Sequence, residues 1–234
     1  MIALVLGATG LIGQHLLNNL LNEPSCEQIW VVGRRDPQVK SGAEAPNKIT
    51  FIQAQISDFG TPTLHQQQLP NNITHIFCCL GSTLKAAGSK QNFIAIDQQA
   101  VINFAKGQLA AQPKAPHFLL VSALGANPQS WFFYNRVKGQ LEEQLKQLNF
   151  AAIHIFHPCL LLGHRGNKRA LEDFCQHLFV PIAKLFIGPL LKVRPIPAQV
   201  VAQAMLVEAR KPPSQQVNII SNEQMHRQFT LPNA

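Results

Sequence analysis

The feature that most constrains the fold is a glycine-rich turn, Gly7-Ala8-Thr9-Gly10-Leu11-Ile12-Gly13, set directly after the apolar run Ile2-Ala3-Leu4-Val5-Leu6. Beyond it, Leu16, Leu17, Leu20 and Leu21 recur at helical spacing, so the glycines occupy a strand-to-helix turn. In such a turn the first glycine permits a sharp bend, the second lets the backbone approach a pyrophosphate, and the third lets the helix pack close to the strand. The helix N-terminus then aims free N–H groups at an anion. The glycine spacing differs from the usual dinucleotide motif, so it is the place of the motif between strand and helix that makes it a candidate phosphate site.

Strand and helix signals alternate along the rest of the chain. Gln28–Gly33, Ile49–Ile52, Ile73–Cys79, His117–Ser122 and Ala152–His157 read as strands. Phe93–Leu109, Tyr134–Leu148 and Pro197–Arg210 read as helices, and Val217–Ile220 as a last strand. The rhythm predicts an α/β fold: a doubly wound, mostly parallel sheet of the Rossmann type with helices on both faces. A length of 234 residues suits a single domain, with a small C-terminal cap on the substrate side at about 160–195. Within that cap, Leu178–Val193 is apolar but broken by Pro181, Lys184, Gly188 and Pro189, which is too interrupted for a membrane span. Ser41–Asn47 reads as a loop, and Glu142, Glu143 and Lys146 as the polar side of their helix.

The net charge of +8 is spread along the chain, which predicts a solvated basic surface and no nucleic-acid partner. Membrane contact is not expected either; a protein partner and the oligomeric state are left open. The five cysteines form an odd set without a Cys-x-x-Cys pair, which predicts a reduced, cytoplasmic protein. Met1 leads straight into strand-like residues, so no signal peptide is expected. His154 and His157 lie three apart on a strand and face opposite ways, so no metal site is expected. Phe93, Phe104, Phe118 and Phe156 follow core spacing.

Certain residues carry chemistry. Arg34 and Arg35 close the second strand, where an acidic residue would bind a ribose 2′-hydroxyl and an arginine a 2′-phosphate. A guanidinium can hold that phosphate through two hydrogen bonds, so NADP(H) is preferred over NAD(H). Tyr134 is the only tyrosine, and Lys138 follows one helical turn later on the same face. The ammonium favours the ionised phenol and makes Tyr134 a candidate proton donor and acceptor. Ser122 ends the fifth strand at the carboxyl edge, where open parallel sheets bind ligands, and its hydroxyl could orient a substrate carbonyl.

With these residues in place, the chain resembles the short-chain dehydrogenase/reductase superfamily in its atypical, single-domain branch. The resemblance rests on Gly7–Gly13, Arg34-Arg35, Leu119–Ala126 and Tyr134-x-x-x-Lys138. Phe77-Cys78-Cys79-Leu80-Gly81-Ser82-Thr83 and Val137-Lys138-Gly139 are similar, more narrowly, to the Tat-interacting-protein-like oxidoreductases. The resemblance implies a catalytic set of Ser122, Tyr134 and Lys138, the last two also touching the cofactor. It further implies that Leu80, Gly81, Ser82 and Pro158 line the cofactor, and that Asp58 or Gln55 meets the adenine. A fourth catalytic residue has no motif; Asn103 is the candidate. The expected function is an NADPH-dependent carbonyl reductase or alcohol dehydrogenase acting on a small organic substrate. The alternative is an NADPH-binding regulator, sensor or assembly protein without turnover.

Overall fold

The structure is a computed structural model that describes residues 1–37, 48–162, 188–212 and 217–229. The loop expected at 41–47 and most of the expected cap, 163–187, lie outside the described residues. Seven strands form one sheet: β1 (Ile2–Leu6), β2 (Gln28–Gly33), β3 (Ile49–Gln53), β4 (His75–Cys78), β5 (His117–Val121), β6 (Ala152–His157) and β9 (Val217–Ser221). Their order is β3-β2-β1-β4-β5-β6-β9, and every pair is parallel. The short strands β7 (Leu161–Leu162) and β8 (Ile196–Pro197) form a separate parallel pair. The doubly wound fold read from the sequence is therefore present.

Parallel strands need crossovers on both faces, so the sheet is covered twice and its strands are apolar on both sides. Ala3, Val5, Ile29, Val31, Phe77, Leu119 and Phe156 point into one buried layer. There they meet Leu16, Leu17 and Leu20 of α1 (Leu11–Leu21) and Val201 and Met205 of the helix Ala198–Arg210. Leu4, Leu6, Ile76, Cys78, Phe118, Leu120, Ile153 and Ile155 alternate into the other layer. That layer is closed by the helices Ala100–Ala111 and Phe133–Lys146. Phe93, Phe104, Phe118 and Phe156 are fully buried, as their spacing predicted.

The winding reverses between β1 and β4, because β1 leads outward to β2 while β4 lies on its other side. Chain ends splay apart at such a reversal and leave a crevice at the carboxyl edge of the sheet. The glycine turn after β1, the Cys79–Ser82 segment after β4 and Ser122 after β5 all lie on that edge. The helical stretch read as Phe93–Leu109 is in fact three joined pieces: α3 (Lys90–Ile94), a π-helical turn Ala95–Gln99, and α4 (Ala100–Ala111). Before them comes the single turn α2 (Leu84–Ala87).

Candidate active site

Gly7 adopts φ +75°, a left-handed conformation that side chains resist, and a Cβ there would lie 2.6 Å from the Cys79 carbonyl carbon. A Cβ on Gly13 would lie 2.2 Å from the Gly7 carbonyl oxygen. The two glycines thus allow β1, the start of α1 and the end of β4 to crowd into one cradle. Gly10 stands at the N-cap of α1 with no side chain capping it, and the first turn holds no acidic residue. An uncapped helix end with this backbone packing fits a dinucleotide pyrophosphate.

Arg34 and Arg35 are exposed just beyond β2 and line a surface pocket. A second cleft is lined by Gln53, Ala54, Asp58, Thr61, Thr63, Leu64 and Gln68. Asp58 Oδ2 accepts a 2.7 Å hydrogen bond from the Gln55 amide, reciprocating the Gln55 side chain in a capping box. Both candidates for the adenine therefore cap a short 3-10 turn, Ile56–Gly60, at this edge.

Tyr134 and Lys138 share one face of α5 (Phe133–Lys146). Tyr134 is half-buried and packs on Phe93, with ring centroids 5.5 Å apart. Lys138 is 3% exposed and its Nζ lies 2.9 Å from Oδ1 of fully buried Asp97. Burial pushes the lysine pKa down, but the Asp97 carboxylate, helped by Tyr134, outweighs it and leaves the pKa raised. The other Asp97 oxygen accepts from the Ser82 amide at 2.9 Å and the Ser82 hydroxyl at 2.6 Å. A Cβ on Gly81 would lie 3.4 Å from Asp97 Oδ1 and 3.7 Å from Lys138 Nζ. The segment after β4 therefore connects the glycine cradle to the lysine.

Ser122 is buried, and its hydroxyl donates to Glu142 Oε1. His157 Nε2 donates to the same oxygen at 2.9 Å. Glu142 is 3% exposed, so its expected place on the polar side of α5 is corrected. It stands two turns after Tyr134 and one after Lys138, on the inward face, because four-residue steps keep to one side of a helix. The helix reaches this position because Gly139 has no side chain: a Cβ there would lie 2.2 Å from the Asn127 carbonyl carbon. The Pro158 carbonyl accepts from the Leu124 amide at 2.9 Å and ties the loop after β6 to that after β5.

Asn103 is exposed and packs against Gly60, away from the lysine. The polar group beside Lys138 is Asp97, placed by the π-helical turn. Sequence reasoning missed both Asp97 and Glu142. Both were accessible from four-residue steps: Glu142 lies eight residues after Tyr134, and Asp97 lies four after the core residue Phe93.

The model for the NAD dependent epimerase/dehydratase family matches residues 3–129, more than half of the chain. The chain belongs to this family. It is 35% identical over 230 residues to the mitochondrial protein FMP52-2 of Scheffersomyces stipitis, covering 95% of each chain. It is 32% identical over 190 residues to the mitochondrial protein fmp52 of Emericella nidulans, covering 81% of this chain and 76% of the relative. Among solved structures, a short-chain type dehydrogenase/reductase from Mycobacterium ulcerans superposes with a TM-score of 0.67 at 14% identity, covering 96% and 89% of the two chains. The UDP-glucose 4-epimerase of Thermotoga maritima, with UDP-glucose, does so at 0.65 and 14%, covering 100% and 84%. The family match, with solved structures that share the fold, supports the atypical short-chain dehydrogenase/reductase superfamily and a nicotinamide dinucleotide as the cofactor class. The cytoplasmic expectation is overturned, since the relatives are named as mitochondrial proteins. An odd cysteine count without a Cys-x-x-Cys pair does not distinguish one compartment from another.

Proposed function

We propose that the protein is an NADPH-dependent oxidoreductase of the carbonyl reductase or alcohol dehydrogenase type, acting on a small organic substrate. The observation that carries this reading is the Tyr134–Lys138 face of α5, whose lysine lies beside Gly81, next to the cradle formed by Gly7 and Cys79. When bound, the nicotinamide would supply or accept the hydride. The uncapped N-terminus of α1 would hold the pyrophosphate, and Arg34 and Arg35 would hold the 2′-phosphate that distinguishes NADPH from NADH. Tyr134 would pass a proton to the carbonyl oxygen, and Lys138 would keep the phenol oriented and bind the ribose hydroxyls. Ser122 donates its one hydroxyl proton to Glu142 in the structure, so to hold the reacting oxygen it would have to turn that proton to the substrate. The motif after β4 supports the narrower Tat-interacting-protein-like subgroup.

A second reading is a dinucleotide sensor without turnover. It is favoured by the Lys138–Asp97 ion pair, which compensates the charge that would otherwise act on Tyr134. Turnover of a broad carbonyl panel with NADPH separates the two. Tyr134→Phe should lower turnover by about 10²- to 10⁴-fold, the usual worth of a general acid, with NADPH affinity retained. Full activity in that variant refutes the mechanism. NADPH-dependent capture of a protein partner, with the panel inert, would establish the sensor.

A further inference from the structure

The loop that enters α5 displays two large apolar side chains to solvent: Trp131 is 97% exposed and Phe132 76%. Scattered exposed apolar residues are ordinary, but an adjacent aromatic pair on a fixed loop is not. Arg136 Nη1 donates to the Ser130 carbonyl at 2.8 Å, the Ser130 amide donates to the Asn127 carbonyl at 3.0 Å, and the Phe132 amide donates to Ser130 Oγ at 3.2 Å. The loop is therefore bonded into a set shape, with the two rings projecting from it.

Two cations flank the ring that follows this pair in the chain. Lys90 Nζ lies 5.4 Å and the Arg136 guanidinium 5.9 Å from the centre of the neighbouring Phe133 ring. Exposed Lys85 stands on α2, whose Ala87 packs in the same apolar cluster as Phe133 and Val137. Neither Ser82–Ile96 nor Ala126–Leu141 contains an aspartate or glutamate.

We propose that Trp131 and Phe132, with Lys85, Lys90 and Arg136, form a docking surface for an anionic phospholipid bilayer. Indole and phenyl rings beside basic groups suit the boundary between acyl chains and anionic headgroups, which supplies both apolar and negative partners at once. A second copy of the chain fits less well, because a twofold contact would set the same cations against each other. Rings this exposed project outward and suit insertion better than seating in a protein groove. The contact is peripheral: among the described residues no helix is long and apolar enough to cross a membrane. Trp131 is three residues before Tyr134, so docking sets the candidate active site close to the bilayer.

The test is sedimentation of the full chain with phosphatidylcholine vesicles, with and without phosphatidylglycerol. Binding should require phosphatidylglycerol and weaken with salt. Lys85→Gln and Lys90→Gln should each weaken binding roughly fivefold, from the worth of one basic residue near an anionic surface. The Trp131→Ser/Phe132→Ser variant should lose binding while keeping the wild-type melting curve. In the wild type, brominated phosphatidylcholine mixed with phosphatidylglycerol should quench tryptophan emission, a readout that needs no variant. Absence of vesicle binding, unchanged binding in the double variant, or absence of quenching overturns the proposal. So does a wild-type dimer that the double variant dissolves, which would make a second copy the occupant.

Discussion

Lys138 and Asp97 form an ion pair of 2.9 Å in which neither side chain reaches solvent to any useful extent. Removing one partner of a buried pair strands the other's charge, which costs about 3–5 kcal/mol. Asp97→Ala should lower the unfolding free energy by that amount in urea titration. A Lys138→Met/Asp97→Asn double variant should recover much of the loss, since both charges are removed together while an amide oxygen still accepts from Ser82. Because the folded lysine pKa is raised, its contribution is fully present below the ordinary lysine value and is lost as pH rises through the folded value.

Glu142 accepts from both Ser122 and His157 in a buried setting. Glu142→Leu would leave two donors without their acceptor, at about 1–3 kcal/mol for each that stays dry. The expected result is a lower denaturant midpoint with an unchanged slope. Glu142→Gln retains one acceptor oxygen and should lose less.

At the opposite edge of the sheet, His75, His117 and His154 form a row across β4, β5 and β6, with successive ring centroids 4.7 and 6.2 Å apart. Burial lowers all three pKa values, and His75 falls from 6.5 to about 4. The unfolded chain therefore binds protons first as pH falls. The stabilisation is fully present above 6.5 and is lost as pH falls through about 4. Thermal melting should show a fall in midpoint across that window, and His75→Gln should reduce its slope.

The proposed NADPH preference rests on Arg34 and Arg35. A charge-assisted hydrogen bond is worth about 1.5–3 kcal/mol, so Arg34→Ala or Arg35→Ala should weaken NADPH binding by roughly 10- to 100-fold. NADH affinity should change little, as read by fluorescence titration of both dinucleotides.

Much of the fold could be read from the sequence because parallel strands buried on both faces are written as short continuous apolar runs, as in Ile2–Leu6 and His117–Val121. The glycine turn was equally legible, since Gly7 and Gly13 answer to steric demands that no other residue meets there. Asp97 carried a weaker signal: it stands four residues after Phe93 and four before Val101, both fully buried, so helical spacing turns it inward although its charge suggests solvent. Glu142 was misplaced because charge alone suggested solvent, whereas two donors from other elements hold it inside. Asn103 was chosen by residue type, and only the three-dimensional path of α4 shows it turned toward Gly60.

The central claim is that the cradle of Gly7, Gly10 and Gly13 takes a nicotinamide dinucleotide and sets its reactive ring beside Tyr134. Calorimetric titration of the full chain with NADPH, followed by a crystal structure of the mixture, tests it most directly. One saturable site per chain, with the pyrophosphate at the N-terminus of α1 and the nicotinamide against the Tyr134 hydroxyl, is the predicted result. No saturable uptake, or a nicotinamide bound away from that hydroxyl, would contradict it.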